Sequence, residues 1–590
     1  MKLQTWLDAR WGHWGNYAGV APRTGKNEIK GVQITFDLDK YPRKYVISGV
    51  HDLCVEKVNS EVSTQGYPSS TRAFNKSASC VNVGNSSHPK LLPADHLQIC
   101  EWQIVHGKLD NLFTEQMLGF AKKTPFENEQ EIMNKALIPL GIKTPVSQIE
   151  LWESPYEKYG LILGEELLKI FSRHLSHPSL TFNPGKTKKM VSASWNLSDL
   201  KYFNVAERYS ELRIIHVEIA EQISDQHTKS VLMFASALAT QLRRCGLQTR
   251  SFKGKVPSIV WPELNEEKKP LASAAQKREL VNHLLKTCLG GGIKPRLVFV
   301  ILPREDAAIY SDIKWWGDCI SGIATICVCP AAVVKKSLGI LDNLSLKANL
   351  KLGGINHMIG DAGESSKLIE SVQNDSLMIV GADVIHPGKG LDPECPSMAG
   401  VVASFDFNFC HFAASARLQA NNEEFISDLG GMLKERLELY QKKNYGKLPL
   451  NILFYRDGVS ESQFGMVLTQ ELAQIEKASR SAHYTVIANQ CELTLEQLEQ
   501  VTHKLSFVGS RAMNGLSVCV PARYADILCD RLRCYMKPAL DGGVRRTQTQ
   551  IQKSKDSLTH YHGAQQAWIR PGSKQTNPWH SNLDNIMFYL

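Results

Sequence analysis

Two apolar segments in the C-terminal part of the chain each end in an aspartate, and this pattern restricts the fold more than any other. The first, LMIVGAD, ends at Asp383, and the second, LNILFYRD, ends at Asp457. Two strand-like segments and an amphipathic helix over Glu423–Lys442 lie between them. Strands joined through a helix run parallel, so the pattern predicts that both aspartates lie at the same edge of one sheet.

A pair of carboxylates at one sheet edge has two interpretations. Carboxylates held close together repel each other, and a divalent cation such as Mg²⁺ or Mn²⁺ removes that cost and supports phosphoryl-transfer chemistry. The alternative is that each aspartate only caps the turn after its strand, which is the commoner role of a single aspartate at such a position. The two residues alone leave both interpretations open.

The central part of the chain alternates strand and helix patterns. Leu212–Ile219, Arg296–Leu302 and Ile323–Val328 are predicted to be buried strands, and Lys229–Leu242 and Lys277–Leu289 are predicted to be helices between them. This alternation predicts an open, mostly parallel sheet.

Composition and targeting signals place broad limits on the function. The formal net charge of +9 fits a polyanionic partner without requiring one. No two of the 14 cysteines have CxxC spacing, so neither a zinc finger nor a thioredoxin-like motif is indicated. The N-terminal segment lacks the apolar core of a secretory signal, and no apolar run is long enough to span a membrane. We therefore expect a soluble intracellular protein.

Several longer motifs resemble the signature segments of the Piwi domain of Argonaute proteins. They are GADVIHP, PSMAGVVASFD, FYRDGVSESQF and the pair HYTVI and PARYADIL. The resemblance extends upstream through VILP and KANLKLGG and covers nearly the whole chain. It implies a multidomain α/β protein with a partial β-rich PAZ domain at 1–122, a helical linker at 123–194, a Rossmann-like MID domain at 195–370 and an RNase H-like Piwi domain at 371–590.

The resemblance also implies a catalytic tetrad that binds metal. Asp383 and Asp457 match its first and third members, and Glu424 in NNEEFISDL matches the mobile glutamate of the family. Asp526 in RYADIL occupies the fourth position, where many members have histidine, and aspartate also binds a hard divalent cation. Asp383, Asp457 and Asp526 are thus predicted ligands of Mg²⁺ or Mn²⁺ in an endoribonuclease whose product carries a 5′ phosphate.

Two lysines point to a phosphate site. Lys347 and Lys351 are four residues apart on a predicted helix, so their ammonium groups face one way and repel each other unless an anion lies between them. A solvated basic face is the alternative. The segment LSLKANLKLGG, however, resembles the part of the MID domain that holds the 5′ phosphate of a guide RNA. By this resemblance the predicted guide 5′-phosphate-binding residues are Tyr310, Lys314, Lys347, Lys351 and Arg531.

Two departures from the family pattern concern the ends of the guide. Ile326 stands where the family often has a polar residue, usually glutamine, which predicts a weaker grip on the 5′ phosphate. In the PAZ part, NKSAS precedes Cys80 and Leu91 stands where a tyrosine is usual. The aromatic pocket for the guide's 3′ end is therefore incomplete, and we expect poor protection of that end.

A third departure is an internal gap. After the helix that ends near Ala478, the family continues with a central strand and further elements before a segment like SRSAHY, which follows here at once. The missing stretch includes the strand that should lie beside the Asp457 strand. The sequence therefore predicts unpaired backbone groups along the Asp457 strand and weak or no cleavage.

The resemblance leaves two main functional interpretations and a third alternative. Either the chain binds a small guide RNA and cuts a complementary target RNA, or it binds a guide and silences through partner proteins without cutting. A truncated product without function is the third alternative. The expected partners are guide RNA, complementary target RNA and silencing-complex proteins, with no membrane. The expected location is the cytoplasm, with the nucleus as an additional site.

Overall fold

The chain forms two compact units, Met1–Ser172 and Arg173–Leu590. The domain boundaries placed at residues 122, 194 and 370 stay predictions. No helix within the described residues is both long and apolar enough to cross a membrane. The computed structural model describes residues 33–36, 44–54, 79–84, 90–100, 111–137, 140, 159–160, 166–183, 185–190, 192–197, 200–206, 212–218, 225–249, 256–261, 274–290, 294–360, 376–387, 396–479, 483–486, 494–509, 511–541, 568 and 577–590.

The described part of the first unit contains short antiparallel strands. They are β1 (Gln33–Phe36), β2 (Lys44–Val46), β3 (Gly49–Cys54), β4 (Ser79–Asn82), β5 (Leu91–Pro93) and β6 (Leu97–Ile99). They form two three-stranded sheets in the orders β2-β1-β6 and β3-β4-β5. Leu91 lies in β5, opposite Asn82 of β4. Residues 75–78 of the NKSAS segment lie outside the described residues.

The linker that the sequence predicts at 123–194 is helical only in part within the described residues. α1 (Asn111–Ala121) precedes α2 (Pro125–Glu131), and π-helical turns over Ile132–Ala136 continue it. The linker predicted at 123–194 is not helical throughout, because residues 166–179 contain no helix and a strand occupies Leu180–Phe182.

The second unit contains the parallel sheet that the sequence predicts. Seven strands belong to its first part: β7 (Leu180–Phe182), β8 (Lys186–Lys188), β9 (Leu212–Glu218), β10 (Ser258–Val260), β11 (Leu297–Ile301), β12 (Ala324–Val328) and β13 (Met358–Ile359). β9 to β12 form the sheet in the order β10-β9-β11-β12, with every neighbouring pair parallel. β11 is buried along its whole length, which explains its uniformly apolar sequence. β7, β8 and β13 form a small antiparallel sheet.

Helices cover this parallel sheet. They are α3 (Asp225–Arg244), α4 (Ala274–Leu289), α5 (Ala307–Trp315), α6 (Pro330–Lys335) and α7 (Leu338–Lys351). α5 begins at the N-cap Asp306, whose carboxylate accepts hydrogen bonds from the backbone N–H groups of Ala308 and Ile309. π-helical turns over Trp316–Ser321 continue α5.

A five-stranded sheet forms the core of the C-terminal part. Its strands are β14 (Leu377–Ile385), β15 (Ser397–Ser404), β16 (Phe412–Gln419), β17 (Asn451–Arg456) and β18 (His483–Val486). The order is β16-β15-β14-β17-β18, antiparallel from β16 to β14 and parallel from β14 to β18. The predicted parallel pairing of the two aspartate-bearing strands is therefore confirmed.

Both faces of this sheet are buried. The remaining helices are α8 (Leu429–Lys443), α9 (Phe464–Met466), α10 (Leu472–Ala478), α11 (Leu495–Val508) and α12 (Val520–Asp541). Alternate residues of β14 pack on opposite sides: Val380 belongs to the core that contains Leu433 of α8, and Ile379 to the core that contains Leu528 of α12. Burial on two sides accounts for the continuous apolar run before Asp383.

Two glycines bring α12 into close contact with the sheet. A Cβ atom on Gly381 would lie 2.0 Å from the carbonyl oxygen of Pro521, and one on Gly400 would lie 2.8 Å from Cys529 Sγ. A side chain at either position would push the helix away. These glycines therefore allow α12 to pack directly on β14 and β15. The close packing fixes the distance between the two strands and the polar side chains that α12 carries.

The Asp457 strand has a neighbour on its outer side. β18 pairs with β17 in parallel, from Asn451 opposite His483 to Phe454 opposite Val486. The expectation of an unpaired strand is therefore wrong. The segment HYTV is rich in residues that favour strands, and it occupies the position beside β17.

Candidate nucleic-acid and metal-binding sites

Side chains from three helices line one cavity of about 460 Å³ in the second unit. α5 contributes Tyr310 and Lys314, α7 contributes Lys347 and Lys351, and α12 contributes Arg531. The structure thus brings together all five residues that the sequence singles out for phosphate binding. We call this space the basic cavity.

Sequence analysis missed two arginines of the basic cavity, Arg511 and Arg523. Arg511 precedes α12 and Arg523 lies in its first turn. Neither stands in a sequence pattern that separates it from other arginines, and only the folded structure shows that both line the basic cavity. The other lining residues are Thr325, Ile326, Cys327, Ile527, Asp530, Tyr589 and Leu590. Among the residues that the structure describes, the basic cavity therefore has six cationic side chains and one carboxylate side chain.

Two of the lysines are almost completely buried and held in place by oxygen atoms. Lys314 Nζ donates to the carbonyl oxygen of Thr325 at 2.7 Å and to its Oγ1 at 3.0 Å. Lys351 Nζ donates to the carbonyl oxygen of Phe588. Both side chains are 2% exposed or less. Carbonyl and hydroxyl oxygens orient an ammonium group without neutralising it, so the charges stay available to an anion.

The positive charges in the basic cavity destabilise one another. Burial, together with Arg511 and Lys314, lowers the pKa of Lys347 to about 8. Burial also holds the pKa of Lys351 well below its ordinary value, and Arg531 and Lys314 add to the effect. A group whose charged form is disfavoured in this way gains most from an anion placed beside it. The basic cavity is therefore suited to a phosphate group.

Hydrogen bonds to neighbouring residues fix the guanidinium group of Arg531. Its Nη1 donates to Asp318 Oδ2 at 2.9 Å, and its Nη2 donates to the carbonyl oxygen of Tyr589 at 3.0 Å. The hydroxyl of Tyr535 donates to the same Asp318 oxygen at 2.7 Å. The guanidinium group is thus preorganised in the wall of the basic cavity.

The aspartates at the ends of β14 and β17 interact electrostatically. Asp383 is 7% exposed, and burial and the charge of Asp457 raise its pKa to about 6. The backbone N–H of Asp457 donates to the carbonyl oxygen of Ala382 at 2.9 Å, which extends the β14–β17 ladder to the residue beside Asp383. The two carboxyl-bearing residues therefore end adjacent parallel strands.

A glycine lies beside two of the carboxylates in this region. Gly458 has φ +78°, and a Cβ atom there would lie 3.1 Å from Asp383 Oδ1 and 3.8 Å from Glu424 Oε1. A side chain at this position would be strained by the backbone conformation and would crowd both carboxylates. The turn after β17 thus leaves space beside Asp383 and Glu424.

Two side chains hold Glu424 and a third holds one of these two, and the sequence analysis gave a role to none of them. His386 Nε2 lies 2.7 Å from Glu424 Oε2. Arg456 Nη2 lies 3.5 Å from Glu424 Oε1 and donates to the Glu424 carbonyl oxygen. Arg456 Nε is itself held by the carboxylate of Glu471, with both oxygens at 3.2 Å. His386 and Arg456 lie inside the GADVIHP and FYRDG motifs, so motif position was the available signal.

Asp526 approaches the carboxylates from α12. Its charge contributes to raising the pKa of Asp383, which places it within electrostatic range of that group. Its Oδ2 forms an ion pair with Nη1 of Arg523, one turn earlier on α12. All four residues of the predicted tetrad therefore lie around the carboxyl ends of β14 and β17. Asp526 is already paired with the guanidinium group of Arg523.

The donor set fits a hard divalent cation. Within the described ranges, no three His, Cys, Asp or Glu side chains are grouped closely enough to hold a metal ion together. The carboxylates of Asp383 and Asp457 nevertheless supply the oxygen ligands that Mg²⁺ and Mn²⁺ prefer, and a cation beside them would favour the ionised form of Asp383. These residues could hold such an ion, with Glu424 and Asp526 as further oxygen donors.

Sequence comparisons identify one domain and a set of relatives. The Piwi domain family model matches residues 297–482 and 473–537. Protein argonaute 1A of Oryza sativa subsp. japonica is 26% identical over 675 residues, which cover 96% of this chain and 59% of that protein. The chain therefore spans little more than half the length of this curated relative.

Solved structures share the fold. Kluyveromyces polysporus Argonaute with a guide RNA aligns with a TM-score of 0.69 at 18% identity, over 100% of this chain and 71% of that chain. The C-terminal lobe of a budding yeast Argonaute aligns with a TM-score of 0.57 at 21% identity, over 71% of this chain and 94% of that chain. The domain match shows that this chain carries a Piwi domain, its listed relatives are Argonaute proteins, and its multidomain α/β fold is similar to that of solved Argonaute structures.

Proposed function

We propose that this protein binds a small guide RNA by holding its 5′ phosphate in the basic cavity. The observation that carries the proposal is the convergence of six cationic side chains on a space of about 460 Å³. The similar Kluyveromyces polysporus Argonaute was crystallised with a guide RNA, which supports the same class of ligand for this chain.

The chemistry of the basic cavity explains how it would select a phosphorylated end. A phosphate placed among Lys314, Lys347 and Lys351 accepts charge-assisted hydrogen bonds and relieves the repulsion between the ammonium groups. Lys314 Nζ lies 5.3 Å from the ring centroid of Tyr310. The Tyr310 ring therefore stands next to the phosphate position, where it can stack on the first base of the guide.

Binding of short RNAs that differ only at the 5′ end tests this proposal. We expect the 5′-phosphorylated RNA to bind at least tenfold more tightly than the 5′-hydroxyl RNA, since hydrogen bonds to charged groups contribute roughly 1.5–3 kcal/mol. Lys351→Ala and Lys347→Ala should each remove most of this preference. Lys335→Ala, which changes an exposed lysine outside the basic cavity, is the matched control. Equal affinity of the parent protein for the two RNAs would overturn the proposal.

We further propose that the guide-loaded protein cuts a complementary target RNA with Asp383, Glu424, Asp457 and Asp526. The arrangement of the four residues around the ends of β14 and β17 supports this activity, and so does the pairing of β17 with β18. Bound Mg²⁺ or Mn²⁺ would supply a polarised water as nucleophile and charge stabilisation for the leaving oxygen. Asp383 and Asp457 would hold the cation, and His386 and Arg456 would orient Glu424 toward it.

Single-turnover cleavage of a guide-matched RNA with Mg²⁺ distinguishes the functional alternatives. We expect cleavage that leaves a 5′ phosphate and that Asp457→Ala abolishes. A parent protein that binds the guide but is inert would favour the alternative, a guide-loaded protein that silences through partners. A chain that neither folds cooperatively nor binds RNA would favour the truncated, non-functional product. Silencing-complex partners and a cytoplasmic location stay predictions.

A further inference from the structure

One arginine lies between the basic cavity and the acidic residues. Arg523 lines the basic cavity, and its Nη1 pairs with Asp526 Oδ2. The side chains of Arg523 and Asp526 are 42% and 32% exposed, so water reaches the pair. Arg523 therefore belongs physically to both sites, although neither the sequence pattern nor the family resemblance assigns it to either.

The groups around this pair have opposite charges on its two sides. On the side of the basic cavity, Arg523 adds to burial in lowering the pKa of Arg511. On the other side, the charge of Asp526 adds to burial and Asp457 in raising the pKa of Asp383. An anion would therefore stabilise the cationic groups around Arg523. A cation would stabilise the carboxylates around Asp526.

We propose that Arg523 couples the two sites by exchanging partners: it leaves Asp526 and contacts the guide's 5′-terminal phosphate when that phosphate enters the basic cavity. This inference rests on the proposed guide-binding function. A water-exposed ion pair is weak, and a phosphate accepts stronger, charge-assisted hydrogen bonds from a guanidinium group. An arginine side chain is long enough to reach either partner through rotamer changes, without movement of α12.

The exchange has a consequence for the acidic residues. Once Arg523 turns toward the phosphate, the Asp526 carboxylate loses its paired cation and adds its full charge to the field of Asp383 and Asp457. Coupling between two binding events is reciprocal, so whatever weakens the hold of Asp526 on Arg523 must strengthen phosphate binding. Guide loading would therefore prepare the acidic residues for a divalent cation.

A double-mutant cycle read out by RNA binding tests the exchange without reference to cleavage. The dissociation constants of 5′-phosphorylated and 5′-hydroxyl RNA are measured for the parent, Asp526→Asn, Arg523→Gln and the double variant, at low ionic strength without divalent cations. We expect Asp526→Asn to tighten 5′-phosphate binding about two- to fivefold, the range of one exposed ion pair, with no change for 5′-hydroxyl RNA. Arg523→Gln should weaken 5′-phosphate binding, and adding Asp526→Asn should then have no effect.

Asp530→Asn is the matched control for a general loss of negative charge. Asp530 also lies on α12, lines the basic cavity and is exposed. Its removal should change 5′-phosphate binding by the same factor whether residue 523 is arginine or glutamine. If Asp526→Asn behaves in this additive way, or has no effect in the parent, the exchange does not occur. Thermal unfolding of each variant verifies that a change in affinity is not a loss of fold.

The result also separates this inference from the proposed function. A parent protein that shows no 5′-phosphate preference, with Lys351→Ala equal to it, overturns guide binding in the basic cavity. A parent that shows the preference, combined with an additive cycle, leaves guide binding intact and overturns only the role of Arg523.

Discussion

The backbone N–H of Asp457 donates a 2.9 Å hydrogen bond to the carbonyl oxygen of Ala382. Ala382 is opposite Arg456 in the β14–β17 ladder, so this bond continues the parallel register by one more residue. The strand pairing itself, and not a loop, places Asp457 next to Asp383. The acidic residues are therefore positioned by the central sheet itself, which makes them sensitive to changes in sheet packing.

The first prediction concerns the pH dependence of stability. Burial and Asp457 raise the pKa of Asp383 from 3.8 to about 6 in the folded protein. Between these values the folded state holds a proton that the unfolded chain has lost, so this contribution to stability is lost as pH rises from about 4 to 6. We expect Asp383→Asn to remove this loss and to stabilise the metal-free protein at pH 8 by about 1–3 kcal/mol.

Urea unfolding of both proteins in a chelator, at pH 4.5 and pH 8, measures this effect. The stabilisation should be small at pH 4.5 and largest at pH 8, and addition of Mg²⁺ at pH 8 should stabilise the parent more than Asp383→Asn. A variant that is equally or less stable than the parent at pH 8 would show that burial and Asp457 do not disfavour the ionised form of Asp383.

The second prediction concerns the close approach of α12 to the sheet. A Cβ atom on Gly381 would lie 2.0 Å from the carbonyl oxygen of Pro521, and neither backbone can yield easily. We expect Gly381→Ala to lower the free energy of unfolding by about 2–4 kcal/mol and to weaken RNA binding, because α12 carries Arg531. Gly339→Ala is the control, since a Cβ atom there meets nothing within 4 Å. It should be neutral or slightly stabilising, and similar losses in both variants would contradict the packing argument.

The third prediction concerns two neighbouring glutamates. His386 and Arg456 contact the carboxylate of Glu424, whereas the carboxylate of Glu423 accepts a 2.9 Å hydrogen bond from Ser427. We expect Glu424→Gln to reduce single-turnover cleavage at least about 100-fold, because a displaced or neutral group cannot complete the cation's ligands. Glu423→Gln should stay within about twofold of the parent. Equal effects of the two changes would remove Glu424 from the active site.

The fourth prediction concerns the apolar residue in the wall of the basic cavity. Ile326 is 3% exposed on β12 and lines the basic cavity. Ile326→Gln should add a hydrogen-bond donor for the phosphate and strengthen the 5′-phosphate preference about two- to tenfold. The same change should cost stability, about 1–2 kcal/mol, because an amide replaces an apolar group in the core. Ile326→Val keeps the apolar character and should leave the preference unchanged, and a gain with valine would refute the hydrogen-bond explanation.

Much of the central architecture follows from local sequence patterns. β11 and the first four residues of β14, LMIV, are buried on both faces, and their uniformly apolar sequences indicate this directly. The positions of Lys347 and Lys351 on one helix also follow from spacing alone. These features depend on periodicity and burial, which a sequence records.

The start of α8 shows where local patterns fail. The sequence predicts a helix from Glu423, but α8 begins at Leu429. Side chains form hydrogen bonds with the backbone of the preceding loop instead. Nearby Gln419 donates through Nε2 to the carbonyl oxygen of Glu423, and the N–H of Ile426 donates to Oε1 of the distant Glu471. Glu471 comes from another helical segment, so tertiary contacts override a favourable helical pattern and keep Glu424 outside the helix.

The cationic wall of the basic cavity is the other feature beyond sequence patterns. Arg523 reaches it from α12, which Gly381 and Gly400 allow to pack closely on the sheet, and Arg511 reaches it from the segment before α12. The pairing of β18 with β17 likewise depends on which segment reaches the open side of β17 in space. Such long-range contacts leave no periodic signal along the chain.

Photocrosslinking of the first nucleotide tests the central claim most directly. A short RNA that begins with 5-iodouridine, carrying either a 5′ phosphate or a 5′ hydroxyl, is bound to the protein, irradiated, and the crosslinked peptide is identified by mass spectrometry. We expect the 5′-phosphorylated RNA to crosslink at Tyr310, and Lys351→Ala or removal of the phosphate to abolish the crosslink. A crosslink outside the basic cavity, or one of equal yield without the phosphate, would contradict guide binding through the 5′ end.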